Sequence, residues 1–70
     1  MPLIFADVGA DYTVQKVGGN AATRKHLVTL GFVEGHGIKV VSNMAQNLIV
    51  RVKDTSIALD RDLARRIQVS

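Results

Sequence analysis

The side chains best suited to chemistry in this chain are two histidines and three hydroxyl residues. His26 and His36 are separated by ten positions and fall on different predicted elements. Zinc ligands usually cluster a few residues apart, so this spacing favours two surface histidines over a metal site. Ser42, Thr55 and Ser56 lie in no Gly-x-Ser-x-Gly frame, the turn that exposes a catalytic serine. We therefore predict no catalytic residues, no metal ligands and no enzymatic activity.

A glycine-rich segment over residues 31–37 is the one candidate for a phosphate-binding loop. Such loops precede a helix, whose N-terminal amides meet the phosphate, whereas this segment follows a predicted helix. The simplest interpretation is a helix C-cap at Gly31 and a chain reversal at Gly35, with Phe32 packed into the core beside the cap. We predict no cofactor-binding site.

A third set of side chains lies on two predicted strands, at the positions that alternate with the core. It combines three cations with two β-branched residues and consists of Lys39, Val41, Ile49, Arg51 and Lys53. If the strands pair in the simplest register, these five residues share one exposed surface, which we call the mixed face. A mixed apolar and basic surface can dock an acidic protein surface or a second copy of the chain. An ordinary solvated sheet face is the alternative interpretation.

The elements that must position these residues follow from the spacing of glycines and β-formers. Residues 12–17 are predicted to form a strand, and Asn20 is predicted to cap a helix over 21–30 that ends at Gly31. Turns are predicted at 43–47 and at Asp54-Thr55. The remaining elements are a strand over 38–42, a strand over 48–53, a strand over 56–59, one helical turn from Asp60 through Ala64, and a closing strand over 66–69.

These elements predict a mainly β fold, a small antiparallel barrel of about five strands with one short α-helix after the first strand. A helix of three turns is marginal alone in water, so its Leu27 and Leu30 edge must dock on the sheet. Closing the strands into a barrel also removes the exposed edges of a flat sheet. The predicted core consists of Val14, Leu27, Leu30, Ile38, Val40, Val50, Val52, Ile57, Leu59 and Ile67.

Length and composition limit the function classes further. Seventy residues form one small domain over 1–70, which is marginal enough that self-association is possible. The N-terminus has no basic region of a signal peptide, and no apolar run approaches the twenty residues of a membrane span, so we expect a cytoplasmic, non-embedded protein. The chain contains no cysteine, and its net charge of +3 permits acidic partners.

Nucleic acid is one acidic partner that the composition permits. Small barrels bind it by stacking bases on exposed aromatic side chains beside basic strands. The aromatic residues here are Phe5, Tyr12 and Phe32, and none of them lies on the basic strands. We therefore expect no nucleic-acid partner, and a nucleic-acid-binding barrel remains an alternative function.

The order and spacing of these motifs resemble those of the FeoA family of ferrous iron transport accessory proteins. The similarity lies in residues 18–35, with their Arg-bearing helix ending in Leu-Gly-apolar, then in 38–41, 56–59 and a closing Ile-x-Val at 67–69. The resemblance implies an SH3-like barrel with a short helix. It also implies a non-enzymatic cytosolic protein that works with FeoB, the large membrane iron transporter, through the cytosolic regions of that transporter.

The same small barrel also occurs as the C-terminal domain of metal-dependent repressors related to the diphtheria toxin repressor. In those proteins the barrel is fused to a DNA-reading domain, whereas this chain has no DNA-reading pair of helices. A metal-sensing domain of that kind is therefore a further alternative function.

Overall fold

The computed structural model describes all residues 1–70 and shows one antiparallel sheet of five strands with short helical segments. The strand order is β4-β3-β2-β1-β5. In chain order the elements are a 3-10 turn over Leu3–Phe5, β1 Asp11–Val17, α1 Ala21–Leu30, β2 Gly37–Asn43, β3 Asn47–Val52, β4 Thr55–Asp60, α2 Arg61–Ala64 and β5 Ile67–Val69. The predicted fold class, with one helix after the first strand, is confirmed.

Local sequence determines both ends of α1, and its predicted bounds are confirmed. The side chain of Asn20 accepts a hydrogen bond from the Thr23 amide at 2.8 Å, which satisfies one of the free N–H groups of the first turn. Gly31 has a φ of 111°, a backbone conformation that residues with a Cβ atom rarely adopt. The Phe32 amide then donates to the Leu27 carbonyl at 3.0 Å, and the Phe32 ring is fully buried.

The hairpin between β3 and β4 corrects one predicted boundary. Val52 pairs with Thr55, so the connection is Lys53-Asp54 rather than Asp54-Thr55, and Lys53 lies in the turn with a φ of 57°. The sequence alternation continues past Val52, so a period of two residues does not show where the strand ends. Lys-Asp is also not one of the glycine-containing pairs that mark two-residue hairpin turns.

One apolar core lies inside the bent sheet and contains no buried polar residue. Eight of the ten predicted core residues are buried, while Leu30 and Ile57 are half-buried and pack against the core. The buried residues are Leu3, Ala6, Val14, Val17, Leu27, Phe32, Ile38, Val40, Leu48, Val50, Val52, Leu59, Ala64, Ile67 and Val69.

The two outermost strands, β4 and β5, do not pair with each other, and short segments cover the opening between them. Asp60 accepts a hydrogen bond from the Leu63 amide at 2.8 Å and so caps α2, as predicted; α2 packs against β3, β4 and the 3-10 turn. Pro2 bridges Gln68, and the Val69 amide donates to the Met1 carbonyl at 2.7 Å, so the N-terminal residues cover the free edge of β5. Neither helix has the length and hydropathy needed to span a bilayer.

Candidate docking face

The cations of the mixed face come together on the outer surface of β2 and β3. Lys39 on β2 lies directly opposite Arg51 on β3, and both side chains are exposed. On the other side of β2, Asp11 of β1 lies opposite Lys39. Lys53 continues the surface from the hairpin turn, two residues after Arg51, and is exposed.

The two apolar members of the mixed face lie further along the same strands, beyond a β-bulge. The pairing of β2 with β3 shifts between Val40 and Ser42 and places Ser42 opposite Ile49. The bulge leaves Val41 unpaired and 46% exposed, and Ile49 is half-buried. The mixed face therefore has a cationic end and an apolar end, two residues apart on each strand.

A shallow groove of about 460 Å³ runs over the cationic end. It is lined by Asp11, Gly37, Ile38, Lys39, Arg51 and Lys53. No aromatic side chain lines it, and Phe32 is buried elsewhere in the core. Asp11 was not predicted as part of this surface, because only the pairing of β1 with β2 brings it beside Lys39.

The groove has three cations and one carboxylate. The one ion pair within 4.0 Å in the chain joins Arg65 to Asp62, so Lys39, Arg51 and Lys53 form no ion pair at that distance, and Asp11, opposite Lys39, offsets part of their charge. Like charges directly opposite each other on neighbouring strands are unfavourable for the sheet. The charges of Lys39 and Arg51 therefore do not favour their pairing, and their arrangement is suited to binding an anionic group.

A second groove, of about 480 Å³, lies on the helix side of the molecule. It is more apolar and is lined by Val17, Arg24, Lys25, Val28, Phe32, Val33 and Glu34. Sequence analysis did not identify it, because the apolar members come from α1, β1 and the segment after α1. Val28 is 49% exposed, since α1 buries only Leu27 against the sheet.

The histidines are on separate parts of the surface. His26 lies on α1 and His36 precedes β2, and both are exposed. No group of three His, Asp or Glu side chains comes together in the chain in a way that could hold a metal ion.

Comparisons with known proteins show what this chain is similar to. The FeoA domain model matches residues 1–70. Over 68 residues the chain is 34% identical to "Putative Fe(2+) transport protein A" of Methanocaldococcus jannaschii, which covers 97% of this chain and 83% of that protein. A crystal structure described as Iron Uptake Regulatory Protein (FeoA) superposes with a TM-score of 0.92 at 27% identity, covering 99% of this chain and 93% of that one.

Two further structures agree with an SH3-like fold. The zinc complex of Stenotrophomonas maltophilia FeoA, described as a procaryotic SH3 domain protein, matches with a TM-score of 0.83 at 29% identity, over 100% of this chain and 89% of that chain. Its description suggests a ferrous iron transport activating factor. IdeR of T. acidophilum matches with a TM-score of 0.89 at 20% identity, over 100% of this chain and 33% of that chain, and shows the fold alone.

Proposed function

This chain belongs to the FeoA domain family, and we propose that it is a non-enzymatic accessory protein that acts in ferrous iron transport by docking onto a membrane transporter. The docking partner in this proposal is the cytosolic part of a FeoB-type transporter, which places the chain in the cytoplasm. In this proposal its contribution to transport is binding to the transporter and not a chemical step.

The observation that carries this proposal is the excess of positive charge on the mixed face. Lys39 and Arg51 face each other across two paired strands and share a groove with Lys53, and none of the three has an acidic partner within 4.0 Å. The pairing of β2 and β3 holds the backbones of Lys39 and Arg51 side by side, so their two charges are close together before a partner binds. Positive surfaces of this kind steer and orient acidic protein partners.

The direct test is a pull-down with the purified cytosolic part of the transporter. We predict that wild-type protein is retained and that the double variant R51E/K53E loses about tenfold or more in affinity, because it replaces attraction by repulsion at the groove. The matched control is R24E/K25E, which changes the net charge equally but lies on the helix-side groove.

Both variants change exposed side chains, so circular dichroism should show that each keeps the wild-type fold. Retained binding by R51E/K53E together with loss of binding by R24E/K25E would move the docking site to the helix side. Absence of binding by the wild-type protein would contradict the proposed function itself.

A further inference from the structure

We propose that the mixed face binds an extended acidic segment in which two carboxylates and one apolar side chain occupy alternate positions. The inference rests on the proposed function, since it describes the part of a protein partner that this face would recognise. The segment would lie over the outer surface of β2 and β3, with its carboxylates at the cationic end and its apolar side chain at the apolar end.

The spacing of the mixed face matches that of an extended chain. Arg51 and Ile49 are two residues apart along β3, and Lys53, two residues beyond Arg51, lies in the hairpin turn and lines the same groove as Arg51. Positions two residues apart in an extended chain are about 6.6 Å apart and lie on the same side. A segment that runs along β3 therefore presents every second side chain to these three residues. Two of its side chains face Lys53 and Arg51, and the third faces Ile49.

The neighbouring strand, β2, likewise has a cation at the cationic end and an apolar residue at the apolar end. Lys39 lies beside Arg51, and Val41 is exposed at the bulge near Ile49. A carboxylate above the two strands can contact both Lys39 and the planar guanidinium of Arg51, which accepts carboxylates in a bidentate geometry. The apolar pair beyond it offers nothing to a third charge, so the face distinguishes an alternating acidic and apolar segment from a uniformly acidic one.

Lys53 supplies an independent observation. It has a φ of 57° at the first position of a two-residue hairpin turn, where glycine is favoured because a Cβ atom is strained there. The chain thus has a lysine where the fold alone prefers a residue with no side chain. Lys53 lies at the end of the cations of the mixed face. Binding of the second carboxylate of the segment accounts for a lysine at this position.

The probe that tests the inference is a nine-residue glycine peptide with aspartate at its third and fifth positions and leucine at its seventh. Titration of the isotope-labelled protein, residues 1–70, followed by amide chemical shifts at low salt, detects weak binding and locates it. One control peptide has the same composition with the three side chains at adjacent positions. The other keeps the alternating positions but has a third aspartate in place of leucine.

We expect shifts concentrated at β2 and β3, and affinity for the alternating peptide about tenfold above that for either control. K53G should keep or increase the resistance to urea and bind the peptide several-fold more weakly, whereas K53R should bind like wild type. The variant K39Q/R51Q, which removes two positive charges without adding negative ones, should lose binding, and R24E/K25E should lose far less affinity than R51E/K53E, although the two change the net charge equally.

Equal binding of all three peptides, or shifts confined to the helix-side groove, would overturn this inference. If the transporter's cytosolic part binds through Arg51 and Lys53 while the alternating peptide does not bind, the inference fails and the proposed function stands. If the peptide binds and the transporter does not, the proposed function fails while the recognition of alternating acidic segments stands.

Discussion

At the scale of single residues, substitutions at two glycines distinguish the cost of backbone strain from the cost of a steric clash. Gly31 and Gly35 both have positive φ values, 111° and 87°. A Cβ atom at Gly31 would lie 2.9 Å from Cγ1 of Val52, whereas one at Gly35 would meet nothing within 4 Å. Val52 is buried in the core and β-branched, so it cannot easily move aside.

We predict that Gly35→Ala lowers the free energy of unfolding by about 1 kcal/mol, the cost of strain alone. Gly31→Ala should lower it by about 2 kcal/mol or more, because the clash with Val52 adds to the strain. Urea denaturation of both variants measures the difference. Equal losses would mean that the sheet relaxes around the new methyl group.

Single residues also show what sequence patterns leave undecided at the mixed face. The exposure of Lys39 and Arg51 follows from alternation along their strands, as predicted. Their position opposite each other depends on the register of β2 and β3, and the alternation is compatible with more than one register. The bulge at Val41 shows this, because it shifts the pairing of β2 with β3 by one residue and the alternation does not indicate that shift.

At the scale of elements, α1 combines a narrow contact with the core and two local caps. Of its ten residues Leu27 is buried and Leu30 is half-buried against the core, and a helix of this length depends on that contact. The hydrogen bond from the Thr23 amide to Asn20 and the C-terminal cap at Gly31 determine where it begins and ends. This local control explains why its bounds could be read from the sequence.

We predict that Asn20→Ala lowers the free energy of unfolding by about 1 kcal/mol, because it removes the acceptor for the Thr23 amide. Asn20→Asp retains an acceptor and should remain close to wild type. Urea denaturation measures the stability, and amide hydrogen exchange in α1 shows where the loss occurs. A loss of the same size in both variants would show that the cap does not depend on the acceptor.

At the scale of the whole molecule, the N-terminal residues complete the core. Leu3 is fully buried, and Met1 and Pro2 cover the free edge of β5. A domain of 70 residues has a total stability of about 5 kcal/mol, so the loss of one core side chain removes a large part of it.

We predict that Leu3→Ala lowers the free energy of unfolding by about 2 to 5 kcal/mol, since it leaves a cavity in the core. Phe5→Ala is the matched control in the same 3-10 turn, and it should change the stability little because Phe5 is 66% exposed. The midpoints of thermal unfolding compare the two. Similar losses would show that the turn contributes through its surface contacts.

The sequence by itself determined the features that depend on near neighbours. Asn20 and Gly31 bound α1, and alternation in β2 and β3 separates core from surface, because caps and pleats act over a few residues. The tertiary structure decided the rest. It buries Leu3, brings Asp11 beside Lys39 and places the bulge at Val41, because these features arise from contacts between segments far apart in the chain, whose pairing no local pattern encodes.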